Sequence, residues 1–133
     1  MKIKNRKLVG EINLIRQVAQ KQLPVRVSYT LLRNIDHIEY AIGLYEKERK
    51  KLLDKYAEKD KSGKYALLPD RKTVKFKDTS SKDSFQKDMD ILLDIEADVD
   101  IRKFKLDDLG DVHFSVSELS AIEYMIDDGK KEK

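Results

Sequence analysis

Apolar and polar positions alternate along this chain with two distinct periods. From about Asn5 to Gln20, Leu8, Ile12, Ile15 and Ala19 step by four, three and four. That spacing gathers them on one face and predicts a helix, with Asn5 placed to act as its N-cap. Leu23-Pro24 interrupts the pattern, because a residue before proline avoids helical angles. A second helix then starts either with Pro24 in its first turn or with Ser28 as its cap, and continues to about Glu58. Leu31, Ile35, Ile38, Ile42 and Tyr45 alternate steps of four and three, and the series resumes at Leu52 and Tyr56, with Arg49 in the missing place. Such a seam is like that of a coiled coil. About 31 helical residues span ~46 Å, longer than a compact chain of this size is wide (about 36 Å), so the helix is expected to bend, with Gly43 as the candidate position, or to protrude.

Beyond that helix the period changes. Asp60-Lys61-Ser62-Gly63-Lys64 reads as a turn. Tyr65 to Leu68, ended by Pro69, and Val74 with Phe76 read as short strands. A third helix follows, with Ser80 and Asp83 as a weakened capping box and Phe85, Met89 and Leu92 as its apolar face. Val99 and Ile101, then Phe104 and Leu106 on a shifted phase, suggest a strand with a bulge at Arg102-Lys103. Val112, Phe114 and Val116 alternate again, and the two segments are expected to pair as an antiparallel hairpin. Ser115 or Ser117 caps a last helix bearing Leu119, Ile122, Met125 and Ile126, which Gly129 ends. The expectation is one α+β domain over residues 1–129 with a charged tail, Lys130 to Lys133. It comprises an N-terminal helical hairpin with a long second helix, a small antiparallel β-sheet and two shorter helices.

Composition removes several chemistries. The 133 residues include no Cys, two His and five separated Gly. There is thus no disulfide framework, thiolate nucleophile or Cys-ligated metal, and no Gly-rich phosphate cradle. No apolar run approaches the ~18 residues of a membrane span. His37-Ile38-Glu39 echoes a deaminase His-x-Glu, but the cysteines that chemistry needs are missing. His113 alternates with Val112 and Phe114, which places it towards solvent. Asp94, Glu96, Asp98 and Asp100 would share one face if extended and would suit a hard cation; an acidic strand edge that discourages pairing explains them equally well. Ser115, Ser117 and Ser120 read as helix caps rather than nucleophiles.

Charge alters the picture more. The net of +3 is a cancellation: residues 1–82 carry 21 basic and 10 acidic side chains, residues 83–128 only 4 basic against 14 acidic. The two parts either complement one another or offer fields to different partners. Nucleic-acid binding would use the basic residues 2–33 and 47–77, although Tyr29 is the only aromatic in the first segment. For a protein partner, or a second copy bound through the long helix, the candidate contact residues are Tyr40, Arg49, Leu52, Leu53 and Tyr56. No catalytic residue, cofactor or metal site is expected.

Four stretches carry a resemblance: Lys21 to Tyr29 (KQLPVRVSY), Leu53 to Asp60 (LDKYAEKD), Ile91 to Val99 (ILLDIEADV) and Val116 to Ile126 (VSELSAIEYMI). In their order and spacing the chain resembles a family of small, uncharacterised proteins encoded by phages and prophages of Gram-positive bacteria. The resemblance implies a viral origin and synthesis in the host bacterial cytoplasm, with incorporation in the virion as a variant. It supplies no catalytic residue. The resulting expectation is a non-enzymatic phage accessory protein acting by protein–protein binding, as an assembly or tail-associated factor or as an inhibitor of a host protein such as a defence component. The alternative is a nucleic-acid-associated phage protein.

Overall fold

A computed structural model describes residues 1–129; the predicted tail lies outside them. The chain is α+β and its contacts divide it into two compact units, residues 1–42 with 96–129, and residues 43–95. The long helix α2, Val25–Tyr56, contributes its first half to one unit and its second half to the other.

In the first unit, strand β1 (Lys2–Lys4) runs directly into helix α1 (Asn5–Ala19). Asn5 is therefore not a cap. Lys4 occupies that place in an extended conformation set by strand pairing, and Asn5 is the first helical residue, buried. Leu8, Ile12, Ile15 and Val18 of α1 meet Val27, Leu31, Ile35 and Ile38 of α2 in one core. The expected fourth position, Ala19, is only half-buried, one place beyond the fully buried Val18. Burying each of these aliphatic side chains contributes roughly 1.5–3 kcal/mol. Arg16 donates to Glu39 Oε1 from Nε (3.1 Å) and Nη2 (2.9 Å), tying the two arms of the helical hairpin.

The sheet differs from expectation. β1 pairs antiparallel with β2 (Glu96–Asp98), Ile3 opposite Ala97. β3 (Phe104–Lys105) pairs parallel with β4 (Ile126–Asp127). The expected hairpin between 104–106 and 112–116 does not form. Leu106–Leu109 turns as a 3-10 segment, and residues 112–115 only lead into helix α4 (Val116–Ile122). Ser115 makes that helix start there. Its hydroxyl accepts from Glu118 N (3.1 Å) while Glu118 Oε1 accepts from Ser115 N (2.8 Å), a full capping box. The helix ends at Ile122, and Ile126, read as helical from its spacing, sits on a strand instead.

The second unit is built from the end of α2, three extended segments and helix α3 (Thr79–Asp94). Glu58 N donates to Lys75 O, Lys75 N to Ala66 O, and Ala66 N to Glu58 O, at 2.9, 2.8 and 2.8 Å. Three segments so close a ring of backbone hydrogen bonds, which is why each pairs over one or two residues only. Two carboxylates pin the turns between them. Asp60 accepts from Ser62 N (2.9 Å) and Lys64 N (3.1 Å), and Asp70 accepts from Lys72 N and Thr73 N (2.9 Å each). Gly63 sits at φ +84°, a conformation glycine adopts without strain. The α3 cap is Asp78, which accepts from Ser81 N at 2.6 Å, rather than Ser80. The Phe76 and Phe85 ring centres lie 5.0 Å apart with their planes tilted by 43°, and Tyr45, Leu53, Ala57 and Leu92 are the buried apolar side chains.

Candidate functional site

Among the concave surfaces of the described residues, one in each unit combines exposed apolar or aromatic side chains with charged ones. The first, in the 43–95 unit, is a groove of about 200 Å³ lined by Glu48, Leu52, Asp88, Ile91, Leu92 and Ile95. Leu52 of α2 is half-buried on it, while Ile91 of α3 and Ile95, the extended residue that caps that helix, stand 60% and 51% exposed. Tyr56 borders it through its hydroxyl, which donates to Asp88 Oδ2 at 2.8 Å. Leu44, two turns before Leu52 on α2, is 50% exposed.

The expected contact residues fare unequally. Leu53 is only 6% exposed and belongs to the unit's interior, so it leaves the candidate surface. The cause is helical spacing: Tyr45, Leu53 and Ala57 share the covered face, and Leu52 lies one position off it. Arg49 is half-buried and pairs with Glu46 at 3.7 Å. Tyr40, 72% exposed, stands on the half of α2 that belongs to the other unit. Sequence reasoning missed Ile91 and Ile95. Their signal is a pair of apolar residues off the Phe85, Met89 and Leu92 stripe, Ile91 one position before Leu92 and Ile95 just past the last helical residue.

The second surface, in the unit of residues 1–42 and 96–129, is a pocket of about 300 Å³ lined by Arg26, Tyr29, Thr30, Lys103, Phe104, Lys105 and Asp108. It depends on one buried polar residue. Asn34, wholly buried on α2, donates from Nδ2 to Arg102 O (2.8 Å) and accepts at Oδ1 from Arg102 N (2.9 Å). The amide thus occupies both backbone groups of one residue and holds the segment 102–105 along α2. Arg26, Tyr29 and Thr30 lie one to two turns earlier on that helix, and residues 26, 29 and 30 share a face. Phe104 is buried, and Tyr29 is 60% exposed.

Elsewhere the sequence candidates separate. His37 Nδ1 lies 2.8 Å from Asp100 O, and His113 is exposed. Asp94 ends α3, whereas Glu96 and Asp98 belong to β2. Among the described residues no group of three or more His, Cys, Asp or Glu is arranged to hold a metal ion, and no helix is long and apolar enough to cross a membrane. A titratable cluster unrelated to either surface joins α1 to the 3-10 segment Glu123–Met125. Lys7 Nζ lies 2.8 Å from Glu11 Oε1 and 5.4 Å from the Tyr124 ring centre. Burial, with a smaller contribution from the Glu11 charge, pushes the Tyr124 hydroxyl up to about 12.

Comparison of the chain with protein-family models, curated proteins and solved structures finds no match.

Proposed function

We propose that this chain is a non-enzymatic phage accessory protein that works by binding another protein, and that the groove of the 43–95 unit is its contact surface. The observation that carries the reading is the exposure of Ile91 and Ile95 beside half-buried Leu52. Two branched aliphatic side chains left in water, one on the last turn of α3 and one at its C-cap, gain roughly 1.5–3 kcal/mol each when a partner covers them. Glu48 and Asp88 at the same groove supply polar contacts at its edge. The viral origin and the host-cytoplasmic setting come from the sequence resemblance. They leave an assembly factor and an inhibitor of a host protein as the two forms of the activity.

The test is capture from host lysate, with and without phage proteins, followed by mass spectrometric identification. A captured protein that Ile91→Asp loses, while circular dichroism shows the variant folded, supports the reading. A partner retained by both Ile91→Asp and Leu44→Asp moves the contact off this surface and overturns it.

A further inference from the structure

Beyond that protein contact, we propose that the Arg26–Tyr29–Lys103–Lys105 pocket binds nucleotide units of single-stranded nucleic acid, with the base on Tyr29 and the phosphates on the three cations. The pocket lies in the unit that does not carry the groove.

The argument starts from charge. Residues 83–128 have only four basic side chains, and two of them, Lys103 and Lys105, are brought to one pocket with Arg26. Among the described residues none of these three cations is held in an ion pair. Lys105 also lines a neighbouring hollow with Asp107, Asp127 and Asp128, so the charge left to attract an anion is chiefly that of Arg26 and Lys103. Arg26 offers a planar fork suited to phosphate oxygens, and the two lysines offer point charges.

The second component is Tyr29. It is 60% exposed and lines the same pocket one helical turn from Arg26. An aromatic face left in water beside phosphate-binding cations is the arrangement on which an unpaired base stacks. A base inside a duplex has no free face to offer, which is the reason for choosing single strands. Thr30 supplies a hydroxyl and Asp108 an acceptor for sugar hydroxyl or base amino groups. Asp108 is the one acidic residue lining the pocket, against three basic ones.

The chain order of these residues explains why they escape a linear reading. Tyr29 looks isolated among basic residues near the N-terminus, and Lys103 and Lys105 sit within the acidic part. The Asn34 clamp on Arg102 is what makes them neighbours.

The experiment is fluorescence anisotropy of the full chain with labelled single-stranded 12-mers of dT and of U, with a 12-base-pair duplex, and with competing ATP or inorganic phosphate. Binding to the single strands at low salt is expected. Tyr29→Ala should weaken it roughly tenfold, in line with the loss of one stacked base. Arg26→Gln and Lys103→Gln should each weaken it and reduce the slope of log K against log salt by about 0.7. Removing two cations from the other unit, Lys61→Gln with Lys72→Gln, should have a smaller effect than the Arg26 and Lys103 pair. Competition by ATP but not by phosphate would extend the site to free nucleotides. No binding at low salt would overturn the proposal. So would Tyr29→Ala binding like wild type, duplex preferred over single strand, or equal loss from the Lys61 and Lys72 pair. None of these results bears on protein capture through Ile91.

Discussion

At the scale of single residues, the polar side chains with the largest structural consequence are those that hydropathy alone would not select. Asn34 is spaced among Leu31, Ile35 and Ile38, and its amide replaces two backbone partners that Arg102 would otherwise seek in water. Asn34→Ala removes both hydrogen bonds and leaves the Arg102 N–H and C=O to be solvated or stranded. A loss of about 2–4 kcal/mol is expected, read from the urea midpoint at unchanged slope. Tyr124 offers a spectroscopic test. Its hydroxyl titrates at about 12 in the folded chain against 10.0 for a free tyrosine. The stability tied to the neutral hydroxyl is therefore complete below pH 10. It declines between about pH 10 and 12 by up to ~1.4 kcal/mol per pH unit, because only the unfolded chain gives up that proton there. Absorbance at 295 nm should show a late-titrating tyrosine, and Glu11→Gln should bring its midpoint down by removing a nearby negative charge. An unchanged midpoint would assign the whole shift to burial.

At the scale of elements, what could be read in the sequence divides by the range of the interactions that set each element. The period of α1 and α2 is local, and Leu31, Ile35, Ile38 and Tyr45 are buried where the seam places them. The Ser115 cap is local too, and the capping box forms. Ser115→Ala, which removes the hydroxyl from that box, is expected to cost about 1 kcal/mol in thermal unfolding. The strand pairings were not legible because their partners are distant. Lys2–Lys4 carries one apolar residue and becomes a strand only because residues 96–98 lie alongside it, and Phe104 finds its partner at Ile126 rather than in the following segment. Leu52 and Leu53 are equivalent in composition, and one step of helix rotation decides which is covered. The pocket was illegible for the same reason, since its two halves are joined by a clamp 68 residues long in sequence. Turns and caps also predict an acid response. Asp54 is held below the usual carboxylate range chiefly by the Tyr65 hydroxyl, Asp60 by Ser62, Asp70 by Thr73 and Asp78 by Ser81. Each contributes stability above its unfolded value of 3.8 that is lost as pH falls through its lower folded value. All four belong to the 43–95 unit, so its circular dichroism and the Phe76–Phe85 packing should respond below about pH 4. The replacement Asp70→Asn should shrink that response.

At the scale of the whole molecule, the opposed charges of the two sequence halves no longer describe the protein. The unit of residues 43–95 holds 14 basic and 11 acidic side chains, and the remainder of the chain 14 of each. Folding returns residues 96–129 to the basic N-terminal segment, so each unit is near neutrality and what remains is local, as at Arg26, Lys103 and Lys105. Burial, in contrast, is distributed unevenly. The core of the first unit joins sixteen buried apolar residues, Ile15, Val18 and Ile38 among them wholly covered. The second relies on Tyr45, Leu53, Ala57 and Leu92, on one aromatic pair and on backbone hydrogen bonds between segments that are at most half-buried apart from Ala57. Opening free energy follows buried apolar contact, so the two halves of α2 should differ although they are one helix. Hydrogen exchange followed residue by residue should show amides from Leu31 to Ala41 protected at least roughly tenfold more than those from Lys47 to Tyr56, with the 58–75 segments faster still. Uniform protection along α2 would mean that the helix opens only with the whole chain, and the second unit would then draw its stability from the first. Graded protection would mean that residues 43–95 open on their own, with Ile91 and Ile95 on the part of the protein that yields first. A partner bound at that groove should then slow exchange in this unit more than in the other.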